Sequence, residues 1–288
     1  MPGKEMSVDD LLDNVGALPP MPLVARRATE IIKDVKSSMN DLANVVKLDP
    51  SMSSIILRWV NSAYYALRQP VISIEQAIVF LGQRTVQNLV LSASVASFMS
   101  RPLPGYALQK GDLWKHAVGT SAGARLIMQG INPRQAEDAY YAGLFCDVGK
   151  LAFDVLIQKG ILKQGFPIDP ASRKLPFQDT ETRLFGYDHT IVSAAMAERW
   201  KLPEYIVEVI RYHHTPSKVS EAYRTIAYAV HTADATMMML GIGVGVDGLQ
   251  YPLDPNVIQI LKWKEDSFEK LYERVMPLIL EVEDFLKV

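Results

Sequence analysis

The chain holds five histidines, and each stands where it could serve a metal site. His116 follows Asp112 by four residues, so a helix would put both side chains on one face. His189 opens an apolar segment, His213 and His214 are adjacent, and His231 lies three residues before Asp234. Between the first two histidines, Cys146-Asp147 sits inside the run Gly143-Leu144-Phe145-Cys146-Asp147-Val148-Gly149-Lys150. Imidazole and carboxylate groups suit divalent transition metals. Asp147 has two oxygens and could bridge two ions. His213 and His214, about 100° apart around a helix axis, would serve two neighbouring ions more easily than one. Paired ions of this kind clamp a phosphoryl group and activate water. A lone buried histidine is more often hydrogen-bonded structure than ligand, so it is the ordered set that points to metal. His231 reads as packing or as support for a ligand, with Asp234 the better donor. Cys146 reads first as a small buried residue.

Helices must position these groups, because the helical period dominates the chain and no run alternates as a strand. Ser7 is an N-cap candidate, with Asp9 and Asp10 in the first turn. Leu18-Pro19-Pro20-Met21-Pro22 reads as an extended entry to a helix over 23–35. Helices are expected over 39–47, from 52 to 63, and over 74–81 between Ser73 and Gly82. Another covers 84–98. In the second half the expected spans are 111–129, 135–153, 179–184, 189–200, 203–214 and 220–240. Residues 159–173 read as a connection and 241–248 as a loop. Two terminal helices, 255–261 and 265–286, follow, the latter amphipathic and docked on its own domain. The break at Arg101-Pro102-Leu103-Pro104-Gly105 divides a first helical lobe, 7–103, from a second, 104–250. Residues 251–288 form the C-terminal helices.

The composition narrows the functional classes. The chain has 288 residues, of which 49% are hydrophobic and 22% charged, enough for a sizeable core. A net charge of −2 gives no general reason to bind nucleic acid or an anionic membrane. One cysteine excludes an intrachain disulfide and any zinc-finger spacing. There is no Gly-rich phosphate loop and no dinucleotide fingerprint. A charged N-terminus and no apolar run of spanning length lead us to expect a soluble cytoplasmic protein.

The run Gly143 to Lys150 resembles the core motif of the HD superfamily, usually read as G-L-L-H-D-I-G-K. Members are all-helical, and many are metal-dependent phosphohydrolases. The resemblance implies His116 as a ligand, Asp147 as the bridging aspartate, and His189, with Glu181 upstream, as the next ligand. It further implies the pair His213-His214 and the late Asp234. Asp112 stands where three-metal members place an acidic ligand, and Lys150 matches a lysine near the substrate phosphate. In the first half, Leu18 to Pro22, Leu48-Asp49-Pro50, Val60-Asn61-Ser62-Ala63 and Ala77 to Gly82 resemble the HDOD family, the HD-related output domain of bacterial signalling proteins. This second resemblance spans about residues 7–245.

The chain departs from both patterns. Cys146 replaces the histidine of the catalytic motif; a thiolate can ligate zinc or iron, but cysteine is shorter. The G-Y-P signature of cyclic-dinucleotide phosphodiesterases is missing, since Thr215-Pro216-Ser217-Lys218 follows His214.

The fold expected is therefore all-α, an N-terminal helical bundle packed on an HD-like bundle. The function expected is a bacterial signalling output domain that retains one or two divalent ions (iron, manganese or zinc) without robust catalysis. Its partner would be a signalling protein or a nucleotide signal. The alternative is an active metal-dependent phosphohydrolase on a nucleotide or cyclic dinucleotide, with Asp147 and Lys150 as catalytic residues.

Overall fold

A computed structural model describes residues 7–15, 23–33, 38–47, 50–162, 166, 176–248, 250–264 and 266–286. The proline-rich entry at 18–22, Leu48-Asp49 and most of the 159–173 connection lie outside these residues. The fold is all-α. Among the described residues no strand forms, and one isolated bridge joins Leu103 and Leu108.

The chain divides into two compact units, one of residues 1–20 and 101–264, the other of residues 21–100 and 265–288. In the second unit, α6 (Gln83–Met99) contacts α2 (Leu23–Lys33), α3 (Met39–Lys47), α4 (Pro50–Val60) and α5 (Ile74–Leu81). Local chemistry fixes the ends of these helices. The Ser73 hydroxyl accepts from Gln76 N–H at the start of α5, and Gly82, at φ +84°, ends it. That backbone conformation favours glycine. Helix α4 stops at Val60, earlier than its apolar pattern suggests, because the next side chain turns to other work. Asn61 donates to the carbonyls of Leu57 and Val71 and accepts from Val71 N–H, clamping the connection to α5. The C-terminal α15 (Ser267–Leu286) contacts α4 and buries Leu271, Val275, Leu278, Ile279 and Val282.

In the first unit, α7 (Asp112–Ile131) packs on α8 (Ala136–Phe145) and α13 (Glu221–Met239). The facing segments are rich in small residues, Gly119, Ala122, Gly123 and Ala124 on α7 and Ala227, Ala229 and Ala233 on α13, all buried. Small side chains let helix axes approach closely. Around this core lie α9 (Gly149–Gln158), α10 (Phe177–Phe185), α11 (His189–Arg199), α12 (Glu204–Tyr212) and α14 (Val257–Ile260). Helix α1 (Val8–Asn14) opens with a reciprocal Ser7–Asp10 capping box and contacts α11. There Arg199 pairs with Asp9 and Asp13, while Leu11 and Leu12 are buried.

Three further expectations are corrected, and the first two corrections shape the site. The single helix expected over 135–153 is two, α8 and α9, broken by the turn Cys146–Val148. The break lets the start of α9 press against α11. A Cβ at Gly149 would lie 2.4 Å from the His189 carbonyl oxygen and 2.7 Å from Ser193 N, and Gly149 N–H donates to Ser193 Oγ at 2.8 Å. Likewise His213 and His214 lie in the turn beyond α12 rather than on the helix. The helix expected over 255–261 is reduced to α14.

Candidate metal centre

Six of the expected residues meet inside the first unit, brought together from five local settings. His116 comes from the second turn of α7, and Asp147 from the turn between α8 and α9. His189 is the first residue of α11, held there by Asp188, whose side chain accepts from Thr190 and Ile191 N–H as the N-cap. His213 and His214 follow α12, and Asp234 comes from α13. All six are buried or nearly so. Their donor atoms form two groups, Asp147 with His189, His213 and His214, and Asp147 with His116 and Asp234. Within each group the ligand atoms lie within 4.8 Å of one another.

The orientation of the rings is the telling feature. His116 Nδ1–H donates to the Ile242 carbonyl at 2.8 Å, His189 Nδ1–H to Glu181 Oε2 at 2.6 Å, and His213 Nδ1–H to the Ile210 carbonyl at 2.7 Å. Each ring thus spends Nδ1 on an outer acceptor and turns Nε2 inward: that of His116 meets Asp234 Oδ1 at 2.7 Å and lies 3.4 Å from Asp147, and those of His189 and His213 lie 3.2 and 3.7 Å from Asp147. Histidines that bind metals are held in this way, with an outer acceptor fixing tautomer and ring plane. Glu181 is itself fixed, accepting from Tyr106 Oη at 2.7 Å and from His189 N–H at 2.9 Å.

Four inward atoms, Asp147 Oδ1, His213 Nε2, His214 Nδ1 and Asp234 Oδ2, are buried without a hydrogen-bond partner. Buried polar atoms are rarely left so, and such groups call for a ligand or ion. Two carboxylates and four imidazoles converge here, two of each through unpartnered atoms, a donor set that fits a divalent transition metal.

Electrostatics bind the cluster together. Burial would raise the Asp147 carboxyl, but the Lys150 ammonium and the neighbouring His189 and His213 imidazoles hold it well below the usual range. Burial would lower the His189 imidazole, yet Glu181 and Asp147 push it up to about 10. His116 is likewise raised against its burial by Asp234 and Asp147. His214 goes the other way: burial, and then the charges of His213 and His189, push it well down. Lys150, buried at 2% exposure, is held well above its ordinary value against burial by Asp147 and Asp247.

The remaining expected residues lie apart from the two groups. Asp112 accepts from Gln109 N–H at 2.7 Å and pairs with Lys115 at 3.2 Å, closing the turn that starts α7. The Cys146 thiol donates to the Gly143 carbonyl at 3.2 Å, and burial pushes it well up, away from thiolate. His231 is fully used: Nδ1–H donates to the His213 carbonyl at 2.9 Å and Nε2 accepts from Asp254 N–H at 2.9 Å. It supports the turn that carries the histidine pair.

Two contributors were not anticipated. Asp247 accepts from Lys150 Nζ at 2.9 Å, and the Tyr251 ring lies parallel to His214 with centroids 4.2 Å apart. A glycine-rich loop gives no period from which to read them.

Comparison with known proteins finds a matching family model and proteins of the same fold. The family model of the HDOD domain matches residues 18–216. An uncharacterized protein of Treponema pallidum (strain Nichols) is 26% identical over 235 residues, 81% of this chain. The chain spans 44% of that relative's length. An HDOD domain protein of unknown function from Geobacter sulfurreducens shares the fold with a TM-score of 0.69. It is 22% identical, with 96% of this chain and 92% of that one covered. A Shewanella amazonensis SB2B protein, provisionally named a phosphohydrolase, also has a TM-score of 0.69. It is 23% identical, over 94% of this chain and 97% of its own.

Proposed function

The chain belongs to the HDOD family, and from that premise we propose that it is a signal-transduction output domain whose buried histidine–aspartate cluster holds one or two divalent ions. The observation that carries this reading is the common orientation of His116, His189 and His213. Each has Nδ1 tied outward and Nε2 turned inward to the carboxylates, His116 to Asp234 and Asp147, His189 and His213 to Asp147. Asp147 belongs to both donor groups and would be the shared ligand. Iron, manganese and zinc all suit imidazole with carboxylate. Asp112 and Cys146 are left out of the ligand set because their polar atoms are engaged elsewhere. The partner read by such a domain would be a signalling protein or a nucleotide.

A bound ion of this class polarises a phosphoryl oxygen or lowers the pKa of water. Hydrolysis is the second reading, favoured by one observation: Lys150 Nζ lies 3.0 Å from Asp147 Oδ2, a cation beside the donor set. Against it, the same ammonium is already bonded to Asp247. We therefore place metal-dependent signalling ahead of turnover.

Elemental mass spectrometry of protein purified without chelator tests the reading, with Asp147→Ala beside it. About one to two equivalents of iron, manganese or zinc, lost in the variant, is the expected result. Absence of metal from both proteins would refute it. For the second reading, phosphoesters are screened with manganese or iron(II), and turnover no higher than that of Asp147→Ala would refute hydrolysis.

A further inference from the structure

Residues 241–248, with Gln250 and Tyr251, close over the cluster in a way that a connecting loop does not require. The Ile242 carbonyl takes the His116 Nδ1 hydrogen, and Val246 N–H donates to the Tyr106 carbonyl at 2.9 Å. The Gln250 carbonyl accepts from Phe177 N–H at 3.3 Å, and Tyr251 covers a face of His214. The approach is too close for side chains at two positions. A Cβ at Gly243 would lie 2.5 Å from His116 Cβ, and one at Gly245 would lie 2.1 Å from the Tyr106 carbonyl oxygen.

The charge carried by this segment is the unexpected part. Asp247 is fully buried, with its Oδ2 2.9 Å from Lys150 Nζ. Its other oxygen accepts from Gly245 N–H at 3.1 Å. The surroundings already hold the buried carboxylates Asp147, Asp234 and Glu181. Adding a fourth costs desolvation and repulsion unless it meets a specific cation. That cation is Lys150, which is shared between Asp147 Oδ2 and Asp247 Oδ2. An ammonium so placed would take an incoming oxyanion on its free side, and here that side is filled by the chain itself.

We propose that Asp247 fills an oxyanion subsite on Lys150, so that a phosphate-like ligand reaches the cluster only when the segment carrying Asp247 lifts. The subsite takes a tetrahedral oxyanion such as phosphate or a phosphomonoester. The inference rests on the metal reading only in that metal and oxyanion would share Asp147 as a neighbour. Closure by the segment stands on its own contacts.

The test uses the full chain and two variants. Gly245→Ala forces the segment off Tyr106 while keeping every charged group. Asp247→Asn removes the internal anion. First, chelator-treated proteins are labelled with diethyl pyrocarbonate, and His214 carbethoxylation is followed by peptide mass spectrometry. His214 of Gly245→Ala should react about tenfold faster than in the unaltered chain, because the reactive fraction scales with the open population. Equal rates would overturn closure. Second, inorganic phosphate is titrated into the manganese-loaded proteins by calorimetry. Both variants should bind about tenfold more tightly than the unaltered chain. Unchanged affinity in a variant that melts cooperatively would overturn the subsite. Gly245→Ala carries this second test alone if Asp247→Asn does not fold. Failure of every protein to take up manganese, iron(II) or zinc would refute the metal reading, and the labelling result would still decide closure.

Discussion

Replacing Glu181 with glutamine removes a charge while keeping the shape of the side chain. Glu181 is buried and accepts three hydrogen bonds, from Tyr106 Oη at 2.7 Å, His189 N–H at 2.9 Å and His189 Nδ1–H at 2.6 Å. A glutamine carbonyl can keep both bonds from His189, while its amide donates to the Tyr106 hydroxyl oxygen after that rotor turns. The packing therefore survives and the change is electrostatic. His189 loses the anion that fixes its tautomer and raises its basicity, an effect of about 10–100-fold on metal affinity. That corresponds to roughly 1.4–2.8 kcal/mol. In chelator-stripped protein a further cost appears. His189, pushed up to about 10 by Glu181 and Asp147 against its burial, contributes up to about 4 kcal/mol at pH 7 relative to an unfolded histidine. Glu181→Gln forfeits part of this. Competition against a chromophoric chelator gives the metal dissociation constant, and urea titration of stripped protein gives the stability. Affinity within about twofold of the unaltered chain, with stability also unchanged, would refute the assignment of His189 and its support by Glu181.

Three further outcomes are expected. Gly149→Ala drives a methyl group into the His189 carbonyl and Ser193 N and strains the Gly149 N–H bond to Ser193 Oγ. Overpacking with the loss of one buried hydrogen bond costs about 2–4 kcal/mol, a fall of roughly 5–15 °C in Tm by calorimetry; a fall under about 2 °C would contradict the close approach. The stripped protein should weaken towards alkaline pH. The His189 pKa is raised on folding, so its contribution is complete below the unfolded value of 6.5 and lost as pH rises through about 10. Urea midpoints at about pH 6, 8 and 10 measure the trend, and a flat profile contradicts it. Arg199→Ala removes pairs with Asp9 and Asp13 that are 81% and 71% exposed on the acidic side. The cost should stay below about 1 kcal/mol, because buried Leu11 and Leu12 remain to dock α1; a urea-derived loss above about 2 kcal/mol would show that the ion pairs dominate.

The sequence was most legible where the physics is local. Ser7 with Asp10, and Ser73 with Gly82, mark helix ends through bonds within four residues, and both pairs act as their types suggest. The six histidines and aspartates that meet carry a recognisable order along the chain. Legibility fails where a tertiary contact decides. The helical pattern carries on through 135–153 with no proline to stop it, so little local signals the break at Cys146–Val148. Past that break Gly149 comes close against α11, a contact between segments distant in sequence. His213 and His214 read as helical because Pro203 to His214 is periodic, yet they turn inward once α12 has ended. Asp112 and Cys146 have the right types for ligands, and each bonds a nearby backbone group, Asp112 the Gln109 N–H and Cys146 the Gly143 carbonyl. Asp247 and Tyr251 lie beyond every motif, and only the folded chain brings them to Lys150 and His214.

The division of the chain into units has a kinetic consequence. Neither unit is a continuous stretch: α1 belongs with residues 101–264, and α15 belongs with residues 21–100. The bond between Arg199 and Asp9 closes a loop of 190 residues. Contacts between α4 and α15 likewise join segments near opposite ends of the chain. Pairings so distant form late, because loop-closure entropy is lost before the contact rewards it. A nascent chain would therefore complete its cluster-bearing core, residues 101–264, while the other unit still waits for its last helix. Cutting the gene between residues 100 and 101 would deprive both products of a helix. A design meant to express either unit alone would have to carry its missing segment across by circular permutation or a linker.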